Sequence, residues 1–347
     1  MNIQDNGNGS KAHGEERISY SKLSTFEQCP RQFFIKYEQK KRPDDITSLP
    51  LEIGTISHYG KELIGKALMA GETPDYEHIK SIIIAGFDEF KIRSYIDENG
   101  NKVGALDNWC DMEGEMVHVP GLEELKKKYF FEWVEPDNKS GMNYDKKLEI
   151  YFNNFEQLEN DMKETGWRPI ACEPEFEFSY KGLFKLYGFI DRIDINEDGD
   201  YRVVDYKSSK KVFDDKDIKT PMQMFIYTLA IENMYGKTPI AHHYDFIFID
   251  KIQEACSKGY YKRGEKKLIK LWEDLCTCRE TGVFKPKPTP LCHWCEYCAT
   301  NPNALHEFKH ECQYYSKWTP TNKTFEKNKE FDETVVDTEK KAKEFWF

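Results

Sequence analysis

The chain has 347 residues, 39% of them hydrophobic and 14% aromatic, which allows a sizeable core and excludes a largely disordered protein. Its formal net charge of −11 excludes adhesion to nucleic acid by the whole surface, and no apolar run approaches the roughly 18 residues of a membrane helix. The polar opening "MNIQDNGNGSKAHGEER" does not read as a signal peptide, so a cytoplasmic protein is expected, or one in the host cytoplasm if the chain is viral. In that compartment ten cysteines point to metal binding rather than to disulfides.

In chain order, residues 1–17 are expected to be disordered. "ISYSKLSTFEQCPRQFFIKYEQK" predicts two short helices broken at Pro30, with Ser21 as N-cap, and "LEIGTISHYGKELIGKALM" predicts an amphipathic helix with His58 near its start. These make an N-terminal helical unit over 18–69. Residues 70–170 are looser and read as a helical insertion, with breaks at "DENGNKVG" and "EPDNKSGMN". The core follows over 171–290. "EPEFEFSY", "LFKLYGFIDRIDIN" and "YRVVDYKS" predict three strands in a meander, turning at Gly182 and Gly199. A helix ends at Gly236, the strand "HHYDFIFI" comes next, and a basic helix leads to a cysteine segment at 291–315 and a tail at 316–347. The order α, β, β, β, α, β makes this an α/β protein.

The predicted strands gather acids. Asp205 and Lys207 end the third strand two residues apart, so both point to one face, and the second strand delivers Asp191. Carboxylates at facing strand ends can share a divalent cation, and oxygen donors favour magnesium or manganese over zinc. Glu173, Glu175 and Glu177 alternate on the first strand, where Glu175 could assist the metal or all three could face solvent. Arg192 and Asp194 read as an ordinary salt-bridged strand.

These motifs resemble the RecB-like branch of the PD-(D/E)XK nuclease superfamily. "GFID" is followed at fourteen residues by "DYK", "GTISH" supplies Gly54 and His58, and "QMFIY" supplies Gln223 and Tyr227 one helical turn apart. The resemblance covers residues 18–69 and 172–300. It implies a restriction-endonuclease-like core of αβββαβ order, a mixed sheet flanked by helices. It further implies metal ligands His58, Asp191 and Asp205, with Lys207, Gln223 and Tyr227 completing the catalytic set. DNA is the implied substrate and a metal-dependent, exonucleolytic hydrolysis the implied activity. A non-catalytic DNA-end or partner-binding module on the same fold is the rival reading, disfavoured by the intact set of residues.

"PLCHWCEYCAT" places Cys292, Cys295 and Cys298 at two-residue gaps, a strong local chelating pattern. The resemblance, which extends to AddB-type and CRISPR-associated spacer-acquisition nucleases, implies a 4Fe–4S cluster whose first ligand is Cys29. Because the family's last gap is usually longer, Cys312 rivals Cys298, and zinc rivals iron–sulfur. Such a cluster would staple the two ends of the nuclease together. From Ala255 to Pro288 nine lysines and arginines face four acids, and Lys262, Arg263, Lys266 and Lys267 are the candidate DNA contacts. No G-x-x-x-x-G-K-[ST] loop occurs, so a helicase would be a separate partner. The tail could dock a helicase, recombinase or single-strand-binding protein, and the compact size fits a phage enzyme of DNA recombination or repair.

Overall fold

The structure is a computed structural model in which residues 16–42, 49–93, 95–96, 102–103, 144–209, 211–214, 218–219, 221–256, 258–299, 301, 307–314, 316–319 and 324–327 are described. Cys110, most of the expected N-terminal tail and the last twenty residues lie outside them.

Strand β1 (Arg17–Ile18) leads into α1 (Tyr20–Gln28). Ser19, not the expected Ser21, caps α1, its side chain accepting from the Lys22 backbone N–H at 3.3 Å. Cys29 is extended, and Pro30 then opens α2 (Pro30–Phe33), where a missing N–H costs nothing. A π-helical turn, Phe34–Glu38, follows. Next come α3 (Leu49–Met69), α4 (Tyr76–Arg93), the short pair β2 (Tyr95–Ile96) and β3 (Lys102–Val103), α5 (Tyr144–Asn153) and α6 (Gln157–Thr165). The core holds β4 (Arg168–Cys172), β5 (Glu175–Tyr180), β6 (Phe184–Phe189), β7 (Arg192–Ile195) and β8 (Tyr201–Tyr206). It closes with α7 (Met222–Tyr235), β9 (Ala241–Phe246), β10 (Lys251–Glu254) and α8 (Tyr260–Thr281). Two 3₁₀ turns, Pro290–Trp294 and Glu307–His310, precede the hairpin of β11 (Ser316–Thr319) and β12 (Thr324–Lys327).

The expected α/β core is present, but its strands divide into two sheets. One has the order β1–β6–β5 and the other β10–β9–β8–β7–β4. The single second strand of the expected meander is in fact β6 and β7, parted at Ile190–Asp191, and each half belongs to a different sheet. The preceding chain crosses between sheets at the same level, at Glu173–Pro174. Backbone bonds from Glu173 to the Asp191 carbonyl (3.0 Å) and from Ile190 to the Pro174 carbonyl (3.2 Å) tie the crossings together. Ile190 is fully buried there, and the strands on either side of the break, through Leu186 and Ile193, pack into the same core. Residues 168–170, placed in the helical insertion by the sequence reading, instead begin β4, which lacks strand alternation and sits at the sheet edge.

Strand β8 lies in the middle of the five-stranded sheet and is buried on both faces, which is why it reads as a nearly continuous apolar run. Val203 joins the core formed with α1, α2, α7 and α8, while Val204 and Tyr206 join a second core on the opposite face with α3, α5 and α6. Helix α7 crosses from β8 to the parallel strand β9 and is apolar on nearly all sides, as a helix enclosed by neighbours must be. On the second face Gly60 of α3 is required by space, since a Cβ there would lie 2.5 Å from both Ile83 and the Tyr151 hydroxyl.

Candidate metal centre and cysteine site

Strand periodicity places Asp205 and Lys207 on the α7 face of β8, at its carboxyl end. Helix α7 answers with Gln223 and Tyr227 from successive turns. Lys207 Nζ donates to Gln223 Oε1 (3.0 Å), Gln223 Nε2 donates to the Tyr227 hydroxyl (2.9 Å), and that hydroxyl donates to Asp205 Oδ1 (3.3 Å). An ion pair between Lys207 and Asp205 Oδ2 closes the ring. Asp205 is 1% exposed, and this ring supplies its buried carboxyl with partners.

Three further donors converge on the same strand ends. His58 comes from α3, Asp191 from the break between β6 and β7, and Glu173 from the crossing between β4 and β5. One ligand atom of each lies within 4.8 Å of the others, and His58 Nδ1 stands 3.6 Å from Asp191 Oδ2. Asp191 Oδ2 also accepts the Tyr206 backbone N–H at 2.6 Å, which anchors it to β8. Burial, then the charges of Asp205 and Glu173, push the Asp191 carboxyl well above its ordinary value. Burial, then Glu62 and Asp205, push Glu173 up to about 7. Burial also lowers the His58 imidazole, keeping it neutral and able to donate a lone pair. Crowded carboxyls that retain protons for want of positive charge, beside a neutral imidazole, form a donor set that fits a hard divalent cation.

Of the two alternatives open for the first-strand acids, assisting the metal or facing solvent, Glu175 takes the second. Glu175 lies on the outer face of its sheet, 3.6 Å from Arg17, whereas Glu173 takes the place at the crossing. The signal was there in "CEPEF", where Pro174 ends one strand and frees the preceding acid from sheet alternation. Arg192, Asp194 and Arg202 form a buried network with Tyr206 and Asp161, matching the structural reading of that strand.

A pH prediction follows for the metal-free protein. Below pH 4.5, the ordinary value for glutamate, Glu173 is protonated whether folded or not and costs nothing. Between pH 4.5 and about 7 the unfolded chain sheds the proton first, so the folded state loses stability as pH rises. Glu173→Gln is therefore expected to raise the metal-free Tm at pH 8 but not at pH 4.5. Differential scanning calorimetry in chelator checks this, and an equal Tm change at both pH values contradicts it.

Cys29, Cys292, Cys295, Cys298 and Cys312 line one cavity. Successive backbone bonds, Cys295 to Cys292 (3.2 Å) and Cys298 to Cys295 (3.1 Å), wind the three close cysteines through consecutive turns. Cys312 is brought alongside by its N–H bond to the Tyr297 carbonyl at 3.0 Å. Backbone N–H groups of Lys287 and Thr289 point at the Cys29 and Cys292 sulfurs at 3.4 and 3.5 Å. The Cys298 thiol donates toward its neighbours and is held up, whereas the hydrogen bond from Cys298 draws the Cys312 thiol down. Both Cys298 and Cys312 thus stand in the cavity, and all five sulfurs suit a thiolate-bound metal group. Cys172 and Cys256 lie apart from this cavity and are half-buried, and Cys172 Sγ lies 3.7 Å from the Met69 sulfur.

Of the basic residues on α8, Lys267 pairs with Glu27 at 2.6 Å, and Arg263 donates to the carbonyls of Lys258 (3.1 Å) and Lys219 (3.3 Å). Lys262 and Lys266 share this helix, which packs on α7 where Gly264 meets Phe225.

Two curated relatives, from Clostridium novyi (strain NT) and Clostridium tetani (strain Massachusetts / E88), are each named as one of the subunits of an ATP-dependent helicase/deoxyribonuclease. The first is 25% identical over 236 residues, covering 61% of this chain and 17% of the relative. The second is 27% identical over 241 residues, covering 64% of this chain and 18% of the relative. The chain therefore spans less than a fifth of the length of either. Residues 17–300 match the PD-(D/E)XK nuclease superfamily, a span that includes the ring, the metal donors and four of the five cavity cysteines. The chain belongs to the PD-(D/E)XK nuclease superfamily.

Proposed function

We propose that the chain is a divalent-metal-dependent deoxyribonuclease that hydrolyses phosphodiester bonds and acts as an exonuclease in DNA processing, recombination or repair. The observation that carries this reading is the closed ring of Asp205, Lys207, Gln223 and Tyr227 beside the His58, Glu173 and Asp191 donors. His58, Asp191, Asp205 and Glu173 would hold magnesium or manganese. When bound, the ion neutralises phosphate charge and lowers the pKa of bound water. Lys207, its ammonium aimed by Gln223 and Asp205, stabilises charge on the phosphate and orients the attacking water. Tyr227 holds Asp205 in place by donating to Oδ1. The neutral His58 imidazole leaves the net charge of the donor set to the carboxylates.

The relatives' name supports DNA as substrate and a helicase as a separate partner. Cys29, Cys292 and Cys295, with Cys298 or Cys312, would hold a 4Fe–4S cluster or, in its place, zinc. The test of the function is digestion of end-labelled linear and of circular DNA with magnesium, manganese or chelator. An exonuclease degrades the linear molecules alone, and only with metal.

Long-range repulsion at −11 must be overcome locally, and α8 is the proposed basic track. Since Arg263 and Lys267 have partners within the fold, Lys262 and Lys266 are the expected phosphate contacts. Replacing both by glutamate should flatten the log–log salt dependence of single-strand binding by about 0.7 per lost contact. The Michaelis constant for DNA should rise with little change in kcat. A salt slope equal to wild type would mark α8 as a solvated face.

A further inference from the structure

The outer face of the β1–β6–β5 sheet carries a feature that the metal centre does not explain. Phe189, the last residue of β6, is 53% exposed, although it sits two residues before Asp191. Phe189 therefore stands at the end of β6 that meets the metal donors, with only Ile190 between it and Asp191. Phe189 stands opposite Glu175 in register, and Tyr187 opposite Glu177, which places both rings on the outer face, roughly 6.7 Å apart along the strand.

Cations continue the row. Arg17 lies over the Tyr187 ring at 4.5 Å from its centroid, fixed there by Glu177 at 2.6 Å and Glu175 at 3.6 Å. Lys22 bridges the rings of Tyr187 (6.0 Å) and Tyr37 (5.8 Å), and Arg42 lies 5.1 Å from the Tyr37 centroid. Aromatic planes and cations therefore alternate from the metal donors outward. With Lys185, 3.6 Å from Glu177, four cations face two glutamates, so the strip is locally positive on a strongly negative protein. The Arg17 and Lys22 contacts are ordinary surface packing when taken singly. An exposed phenylalanine at the inner end of the row is not explained by packing.

We propose that this strip is a binding track for single-stranded DNA, in which bases stack on Phe189 and Tyr187 while Arg17, Lys22 and Arg42 follow the phosphates into the metal centre. The proposal rests on the nuclease reading and adds the strandedness of the substrate. Unpaired bases offer their faces to aromatic side chains whatever their identity, and paired bases in a duplex do not. Phe189 is the innermost platform, positioned to hold the base next to the scissile phosphate.

The test is fluorescence anisotropy with the full chain and no added divalent metal, using a labelled oligo-dT of twenty nucleotides and a blunt hairpin duplex. Phe189→Ala combined with Tyr187→Ala should weaken oligo-dT binding by about tenfold or more, the loss expected for one or two stacked bases. Duplex binding should fall far less, because the charges of Arg17, Lys22 and Arg42 all remain. Phe189→Trp should restore most of the loss, and an abasic strand of equal length should bind wild type and double variant alike. Unchanged oligo-dT affinity in the double variant, or an equal loss on duplex, overturns the proposal. Because the assay contains no metal, it stands apart from the nuclease reading. Wild-type protein that cleaves DNA with magnesium but shows no stacking loss sinks the track alone, and wild-type protein that cleaves nothing sinks the function.

Discussion

Asp205→Asn and Lys207→Ala should each lower DNA cleavage by about three orders of magnitude while leaving DNA binding measurable. Removing one preorganised charge from a transition-state site costs on the order of 10²–10³ in rate. Here the two residues also hold each other, because Lys207 is fixed by Asp205 and Gln223 and Asp205 by Lys207 and Tyr227. Loss of either releases its partner, so the double variant should be hardly worse than the single ones, as is usual for groups acting as a unit. The variants part company in stability. Lys207→Ala leaves the buried Asp205 carboxylate without its cation and should destabilise the metal-free fold by about 3 kcal/mol, which magnesium should recover in part. Asp205→Asn relieves the charge that raises Asp191 and Glu173, so it should lose less. Thermal melts with and without magnesium separate the two.

Cys29→Ser should cost both metal and stability. Cys29 and Cys292 are 263 residues apart, and a cluster joining them closes nearly the whole nuclease into a loop. Loop closure over that length removes about 5 kcal/mol of unfolded-chain entropy, an upper figure when the denatured chain is compact. Anaerobically purified wild type should be brown with broad visible absorbance, and Cys29→Ser should be paler and melt at a markedly lower temperature. Colourless wild type carrying stoichiometric zinc would replace the cluster by a zinc staple. Cys298→Ser and Cys312→Ser, assayed for iron and Tm in parallel, decide which supplies the last sulfur.

Local patterns made much of this site legible. Alternation on β8 places Asp205 and Lys207 on one face, and the four-residue step from Gln223 to Tyr227 places both on one side of α7. The α/β order was equally open, since apolar runs, turn glycines and helix ends mark each element in its own segment. What stayed hidden depends on contacts distant in the chain. The continuous alternation of "LFKLYGFIDRIDIN" gives no sign of a sheet change at Ile190, because both halves keep a period of two and pack into the same core, and only their pairing partners tell them apart. Glu173 was misplaced for the same reason, its role arising from a crossing between sheets and not from its strand. Cys312 was named from the resemblance as a rival to Cys298, but that both stand in one cavity depends on a backbone bond from Cys312 to Tyr297 that spacing does not show.

The central claim is that the Asp205–Lys207 strand end is a metal-dependent DNA-cleaving centre. Its most direct test is cleavage of an end-labelled linear DNA by wild-type protein and by Lys207→Ala, each with magnesium and with chelator. Cleavage by wild type in magnesium alone, with none above background in the other three reactions, is the predicted result. Cleavage by Lys207→Ala at a rate near wild type, or wild-type cleavage that persists in chelator, would contradict it.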